Sequence, residues 1–183
     1  FVEPALLGRD LKLKFGAYYR ISAQTFAKYD TNAIAISAGL EFPVSISGRM
    51  DVHFRAFRDE VLNVSTDSSD ILKAEGALGG LNGGLLGYTY SFDNRINGLN
   101  PKGGMLLRFG QDFAGIGGDI KYIQTNALAL AETKILNEDV TVRAILEGGM
   151  INSVGGYTTR VTDRFFGNSK IRGFEQNGIG PRD

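Results

Sequence analysis

Arg172-Gly173-Phe174, within the stretch Phe165–Gly180, is the part of this chain whose residue types most suggest a specific contact. A cation and an aromatic flanking a glycine are costly on a bare loop. They make sense where acidic and aromatic groups wait to receive them. Ile171 precedes the triplet, and the run lies in polar, glycine-rich sequence that begins near Gly155. A second set of polar groups recurs at every other position of earlier segments: Arg49, Asp51, His53 and Arg55, then Arg108 and Asp112, then Arg143 and Glu147. A spacing of two puts each set on one face of an extended strand.

Catalytic chemistry finds little support. His53 is the only histidine, and a metal site needs several converging ligands, none of which is apparent. It reads as part of a wetted wall. Asp112, Asp119, Glu132 and Glu147 form no evident acid/base pair. The run Gly79–Gly84 lacks the Lys-Ser/Thr and following helix of a phosphate loop and reads as a loop entering a curved strand. Cysteine is absent, which removes thiol catalysis, disulfides and thiolate metal sites. No arrangement of serine with histidine or lysine suggests nucleophilic catalysis. The chain reads as no enzyme, with no cofactor and no metal.

The elements that carry these groups are strands. From Leu11 to Ser22, Leu11, Leu13, Phe15, Ala17, Tyr19 and Ile21 share one face, while Lys12, Lys14, Gly16, Tyr18, Arg20 and Ser22 share the other. From Ala33 to Phe42 the apolar row is Ile34, Ile36, Ala38, Leu40 and Phe42. After a turn at Pro43, Ile46, Met50, Val52, Phe54 and Ala56 oppose Ser47, Arg49, Asp51, His53 and Arg55. Further strands read at Asn82–Phe92, Gly104–Ala114, Ile120–Lys134 and Val140–Ile151; the faces of Ile120–Lys134 stay unassigned. Asp70–Glu75 reads as a short helix in the longest internal loop.

Composition narrows the class. The chain has 183 residues, 43% hydrophobic and 22% charged, which suits a folded domain. Twenty basic and twenty acidic side chains leave no bulk field for nucleic acid. No run approaches the roughly 18 apolar residues of a membrane helix. The chain opens on Phe1 instead of methionine and reads as an excised or matured piece. Its 25 glycines, 12 phenylalanines and 7 tyrosines suit tilted strands that must curve.

Alternation alone also describes a soluble sandwich, and length separates the two. Several segments run 11 to 13 residues, against about 5–6 for soluble strands and about 9–11 for tilted membrane strands. An arginine on the lipid face at mid-membrane costs roughly 2–4 kcal/mol, so the charged rows must face an aqueous lumen. Turns near Pro43, at Asp93–Gly103 and at Ile135–Asp139 alternate with loops at Ala23–Thr31, Asp59–Leu81 and Gly115–Asp119. This order puts the segment after Ile151 outside. The fold class is all-β: a partial antiparallel up-and-down transmembrane barrel of about seven strands plus a long loop.

Several landmarks now fall in the order of one family. Phe1-Val-Glu-Pro-Ala-Leu-Leu-Gly-Arg looks like a strand end before a tight turn. Tyr88-Thr-Tyr-Ser-Phe-Asp-Asn-Arg with Leu99-Asn-Pro-Lys-Gly-Gly resembles a hairpin with an Asn-Pro-x-x-Gly turn. Phe113-Ala-Gly-Ile-Gly-Gly-Asp-Ile-Lys-Tyr is similar to the next outer loop and strand, and Ile171-Arg172-Gly173-Phe174 resembles the loop-six signature. The family is the BamA family of outer-membrane β-barrel assembly proteins. The resemblance implies one outer-membrane barrel domain over 1–183, holding the end of strand four, strands five to eleven and most of loop six, without POTRA domains or terminal strands.

The resemblance further implies that Arg172 pairs with acidic groups of the inner wall, Gly173 holds a tight backbone position and Phe174 packs. It implies work as part of an insertase of the bacterial outer membrane. The partners would be outer-membrane lipids, unfolded β-barrel clients and accessory lipoproteins. A sister-family polypeptide-secreting transporter, a passive channel and a soluble β-sandwich are the rival readings. The membrane reading requires Leu13, Ile36, Val52 and Leu107 to face away from any protein interior; convergence of the four in a sealed core would end it.

Overall fold

The computed structural model describes residues 1–23, 28–95, 103–137, 139–165 and 173. Its alternating segments pair into one sheet, in sequence order and antiparallel throughout. The strands are β1 (Val2–Glu3), β2 (Lys12–Ala23), β3 (Asp30–Pro43), β4 (Gly48–Leu62), β5 (Leu81–Asp93), β6 (Gly103–Gly118), β7 (Tyr122–Ile135) and β8 (Val140–Ser153). The eighth strand beyond the seven expected is β1, a two-residue stub with Val2 opposite Lys14. The sheet is unclosed, with β1 and β8 at its edges.

β2 to β8 run from 12 to 16 residues. A 12-residue strand rises about 40 Å along its axis. Tilted by about 40°, it spans roughly the 30 Å of a hydrocarbon core. No helix among the described residues is long and apolar enough to cross a membrane.

Register puts the rows where alternation requires. Across the middle of the sheet, Lys14, Gly39, His53, Gly87, Asp112 and Gln124 lie side by side on one face. The opposite face is apolar and open: Ile36 is 61% exposed, Leu107 42% and Val52 40%, and Leu13 lies in the same row. These side chains converge on no sealed core.

Three local expectations are corrected, and one left open is settled. β6 continues through Gly115–Gly118 alongside β5, so only Asp119, Ile120 and Lys121 separate it from β7, while its pairing with β7 ends at Phe113 opposite Ile123. Gly115, Gly117 and Gly118 have φ of +141°, +70° and +97°, which lets the strand run on through conformations L side chains rarely adopt. Ile120 therefore lies in the connection, fully buried, and β7 starts at Tyr122. Ile46 leaves the β4 row: it sits exposed in the 44–47 turn, because the strand begins at Gly48. β7 now has defined faces, with Gln124, Asn126, Leu128, Leu130 and Glu132 on the polar side. Most of the Asn-Pro-x-x-Gly turn lies outside the described residues.

A small apolar cluster forms at the loop end of the polar face from Ala35, Phe57, Leu85, Ile120 and Tyr122, with Tyr157 packed against it. The Phe57 ring lies directly over Gly83, its Cζ 2.5 Å from where a Cβ would stand. Gly83→Ala in the full-length protein should therefore displace that ring and cost about 1–3 kcal/mol. The readout is the temperature at which the folded, SDS-resistant barrel is lost; an unchanged temperature would refute the packing argument.

Candidate functional site

Charges barred from the lipid face share one wall, and there they neutralise one another. Asp10, just before β2, takes a two-pronged contact from Arg49 on β4, at 2.9 and 3.1 Å. The same guanidinium reaches Glu41 on β3 through Nε at 2.7 Å. Glu41 also receives the ammonium groups of Lys12 and Lys14 from β2. Lys14 bridges onward to Asp51 at 2.8 Å. Asp51 meets His53 Nδ1 at 2.8 Å, and His53 Nε2 meets Asp112 on β6 at 2.8 Å. The chain of alternating charge thus runs across β2, β3, β4 and β6.

Strands two apart are separated by about 9.6 Å, too far for short side chains to meet over an intervening residue with bulk. Glycine on the middle strand removes that bulk. Gly87 of β5 lies between His53 and Asp112 in register, and a Cβ there would collide with both the Asp112 carboxylate and the imidazole. Gly39 of β3 lies in register between Lys14 and His53, with the His53 Cβ 3.3 Å from where its own Cβ would stand. Only an imidazolium could donate to both carboxylates at once. The two carboxylates approach opposite ring nitrogens, so they do not converge as ligands. Among the described residues no group of three His, Cys, Asp or Glu is placed to hold a metal ion.

The structure brings some of the expected wall residues together and separates others. Arg49, Asp51, His53 and Asp112 belong to the ladder. Arg55 lies over the Phe57 ring, 4.6 Å from its centroid. Arg108 occupies the same face between Ser91 and Leu128. Arg143 pairs with Glu132 at 3.0 Å, a separate β7–β8 contact, and Glu147 stands opposite Leu128. Ile171, Arg172 and Phe174 lie outside the described residues. Gly173 is exposed with φ of +90°, a backbone state that suits glycine.

A second group was invisible in the sequence. Arg160 is 2% exposed, donating through Nη1 to the Asp59 carbonyl at 3.1 Å and through Nη2 to the Gly79 carbonyl at 3.5 Å. Asp163 accepts from the Arg160 amide at 2.8 Å and from the Tyr157 hydroxyl at 2.6 Å. Glu75 accepts from the Val161 amide at 2.9 Å and lies 3.9 Å from the Arg164 guanidinium. Glu75 belongs to α1 (Asp70–Ala77), the short helix expected at Asp70–Glu75, whose first turn is capped by the Ser69 hydroxyl. The partners are 81 to 101 residues apart in sequence, so no local pattern announces them.

Burial, reinforced by the bond to Asp163, holds the Tyr157 phenol well above its ordinary range. The neutral phenol is the donor, so the contribution of this bond is intact below pH about 10 and is lost as pH rises beyond it. Tyr157→Phe should remove one late-ionising phenol from the alkaline absorbance titration of the folded full-length protein and cost about 1–2 kcal/mol. An unaltered titration would sink the assignment. On the wall, Gly87→Ala should break the His53–Asp112 contact and destabilise by about 1–3 kcal/mol. The thermal loss of folded barrel reads this, and Asp112→Asn should be milder because the amide keeps an oxygen facing the ring.

The pattern of the Omp85 superfamily domain matches residues 1–183. Outer membrane protein assembly factor BamA of Neorickettsia risticii (strain Illinois) is 26% identical over 155 residues, which is 85% of this chain and 21% of that protein. Sorting and assembly machinery component 50 homologs of Xenopus laevis (homolog B) and Homo sapiens are 35% and 34% identical over 100 residues, 53% of this chain and 21% of each. The crystal structure of BamA from Haemophilus ducreyi lacking POTRA domains 1–3 shares the fold, with a TM-score of 0.82 over 98% of this chain and 37% of that one, at 18% identity. The chain spans about a fifth of the length of these curated relatives. With its whole length matched and its sheet laid out as in that barrel, the chain belongs to the Omp85 superfamily and forms a stretch of BamA-family β-barrel wall.

Proposed function

We propose that this wall belongs to an insertase that assembles and inserts β-barrel proteins into the bacterial outer membrane. The observation that carries the reading is the match of residues 1–183 to the superfamily domain, with relatives whose names speak of assembly. The two-faced sheet supports a membrane setting: its apolar side chains stay exposed while its charges pair on the other side. The Sam50-type relatives make the mitochondrial outer membrane the competing location.

The wall carries no covalent chemistry in this reading. Its partners are unfolded barrel clients, which would add by strand-edge pairing at a seam between the barrel's terminal strands. Accessory lipoproteins and outer-membrane lipids complete the set. The charge ladder keeps the wall rigid while a seam elsewhere opens. Loop six folds back onto the inner face, with Arg172 as its cation, Gly173 as its tight turn and Phe174 as its packing anchor. Seven residues lie between the anchored Arg164 and Arg172, so this eight-step tether reaches at most about 29 Å and keeps the motif near the wall.

Arg172→Ala in the full-length protein should loosen loop six and lower the amount of folded client barrels several-fold, with Arg172→Lys intermediate. Protease accessibility of the loop and client levels in the membrane are the measurements. Parent-like values for both would defeat the proposal.

A further inference from the structure

The segment after β8 is not simply a free loop: its first dozen residues fasten two outer connections together, β6–β7 and β4–β5. The Val154 amide donates to the Lys121 carbonyl of the β6–β7 hairpin at 3.0 Å. Tyr157 then packs against the cluster of Phe57, Leu85, Ile120 and Tyr122. Arg160 donates to the Asp59 carbonyl in the last few residues of β4 and to the Gly79 carbonyl two residues before β5. Val161 and Arg164 both approach the single carboxylate of Glu75 on α1. The 154–165 segment pairs with no strand; these contacts hold it, together with the Phe165 ring against Gly149 of β8.

Two features mark the contact as releasable. Its attachment to α1 converges on one carboxylate, so loss of that group frees the Val161 amide and the Arg164 guanidinium together. The buried Arg160 also leaves its Nε without a hydrogen-bond partner, so its burial is not fully compensated. A polar fastening of this kind exchanges for water more easily than an apolar one, because every donor and acceptor in it finds an equivalent in solvent. Leu85, in the apolar cluster against which Tyr157 packs, is 3% exposed.

We propose that Arg160 and Glu75 form a latch that fastens the segment after β8 over the apolar cluster, and that its release exposes the cluster around Leu85 to the outer surface. Arg160 is a positioning residue in this device: it fixes the base of the segment that leads to Gly173.

The test uses the full-length protein in its native membrane, with Leu85→Cys as reporter and a membrane-impermeant maleimide as probe. Thr158→Cys, at an exposed position of the same segment, sets the upper limit of labelling. Arg160→Ala and Glu75→Ala should each raise the labelling rate of the reporter about tenfold. Glu75→Gln keeps an acceptor for the Val161 amide and should stay within about threefold of the parent. Parent-like labelling in both alanine variants, with the barrel folded by its SDS-resistant mobility, would overturn the latch. If Arg160→Ala fails to fold, the comparison of Glu75→Ala with Glu75→Gln decides alone. No client is needed for this readout, so it stands or falls separately from the assembly reading.

Discussion

The cost of holding a charge against hydrocarbon governs this wall. Roughly 2–4 kcal/mol for an arginine at mid-membrane is a large share of the stability of any domain. With side chains alternating strictly along each strand, every charge expelled from one face arrives on the other. There it meets the charges expelled from neighbouring strands. The ladder from Asp10 through Arg49, Glu41, Lys14, Asp51 and His53 to Asp112 is the outcome. Carboxylates alternate along it with lysine, arginine and the His53 imidazole, so no member faces only its own sign.

The apolar face obeys the same rule where it carries polar atoms. Gln111 points to that side from the middle of β6. Its carbonyl accepts from the Tyr88 hydroxyl at 2.8 Å, and its amide donates to Thr125 at 3.1 Å. The Tyr88 ring lies between Phe109 and Phe113, each with its centroid 6.4 Å away, which shields the amide further. A polar residue survives there because its neighbours on β5 and β7 replace water.

The ladder and the loop-end contacts divide the inner face into two regimes. Along the strands, the ladder joins groups on adjacent or next-but-one strands, and glycine at Gly87 permits the longer step from His53 to Asp112. At the loop end, Arg160, Asp163 and Glu75 join segments far apart in the chain, using backbone carbonyls and amides as partners. The first regime is a consequence of pairing and gives rigidity. The second is assembled only after the sheet exists and depends on a few polar groups. A barrel that must keep its wall while its loops rearrange has use for both.

Much of this was legible in the chain itself, and the reason is the period of two. Lys12 and Lys14, Arg49 to Arg55, and Arg108 with Asp112 declare their shared face by spacing, because a strand offers its side chains only two directions. Seven long strands followed from that, and the polar side of all but β7, whose weak alternation left its faces open; α1 was read separately, as a short helix in the longest internal loop. Spacing carries no information on what a side chain meets across several strands. That His53 lies between two carboxylates depends on register and on Gly87, which tertiary pairing supplies. The glycines of 115–118 read as a loop because glycine favours turns, yet pairing with β5 kept them in the sheet. Arg160 and Glu75 show the limit most plainly: their partners lie 81 to 101 residues away, in irregular chain and at strand ends. Only the folded sheet, by bringing the ends of β4, β5 and β8 to one rim, could decide those contacts.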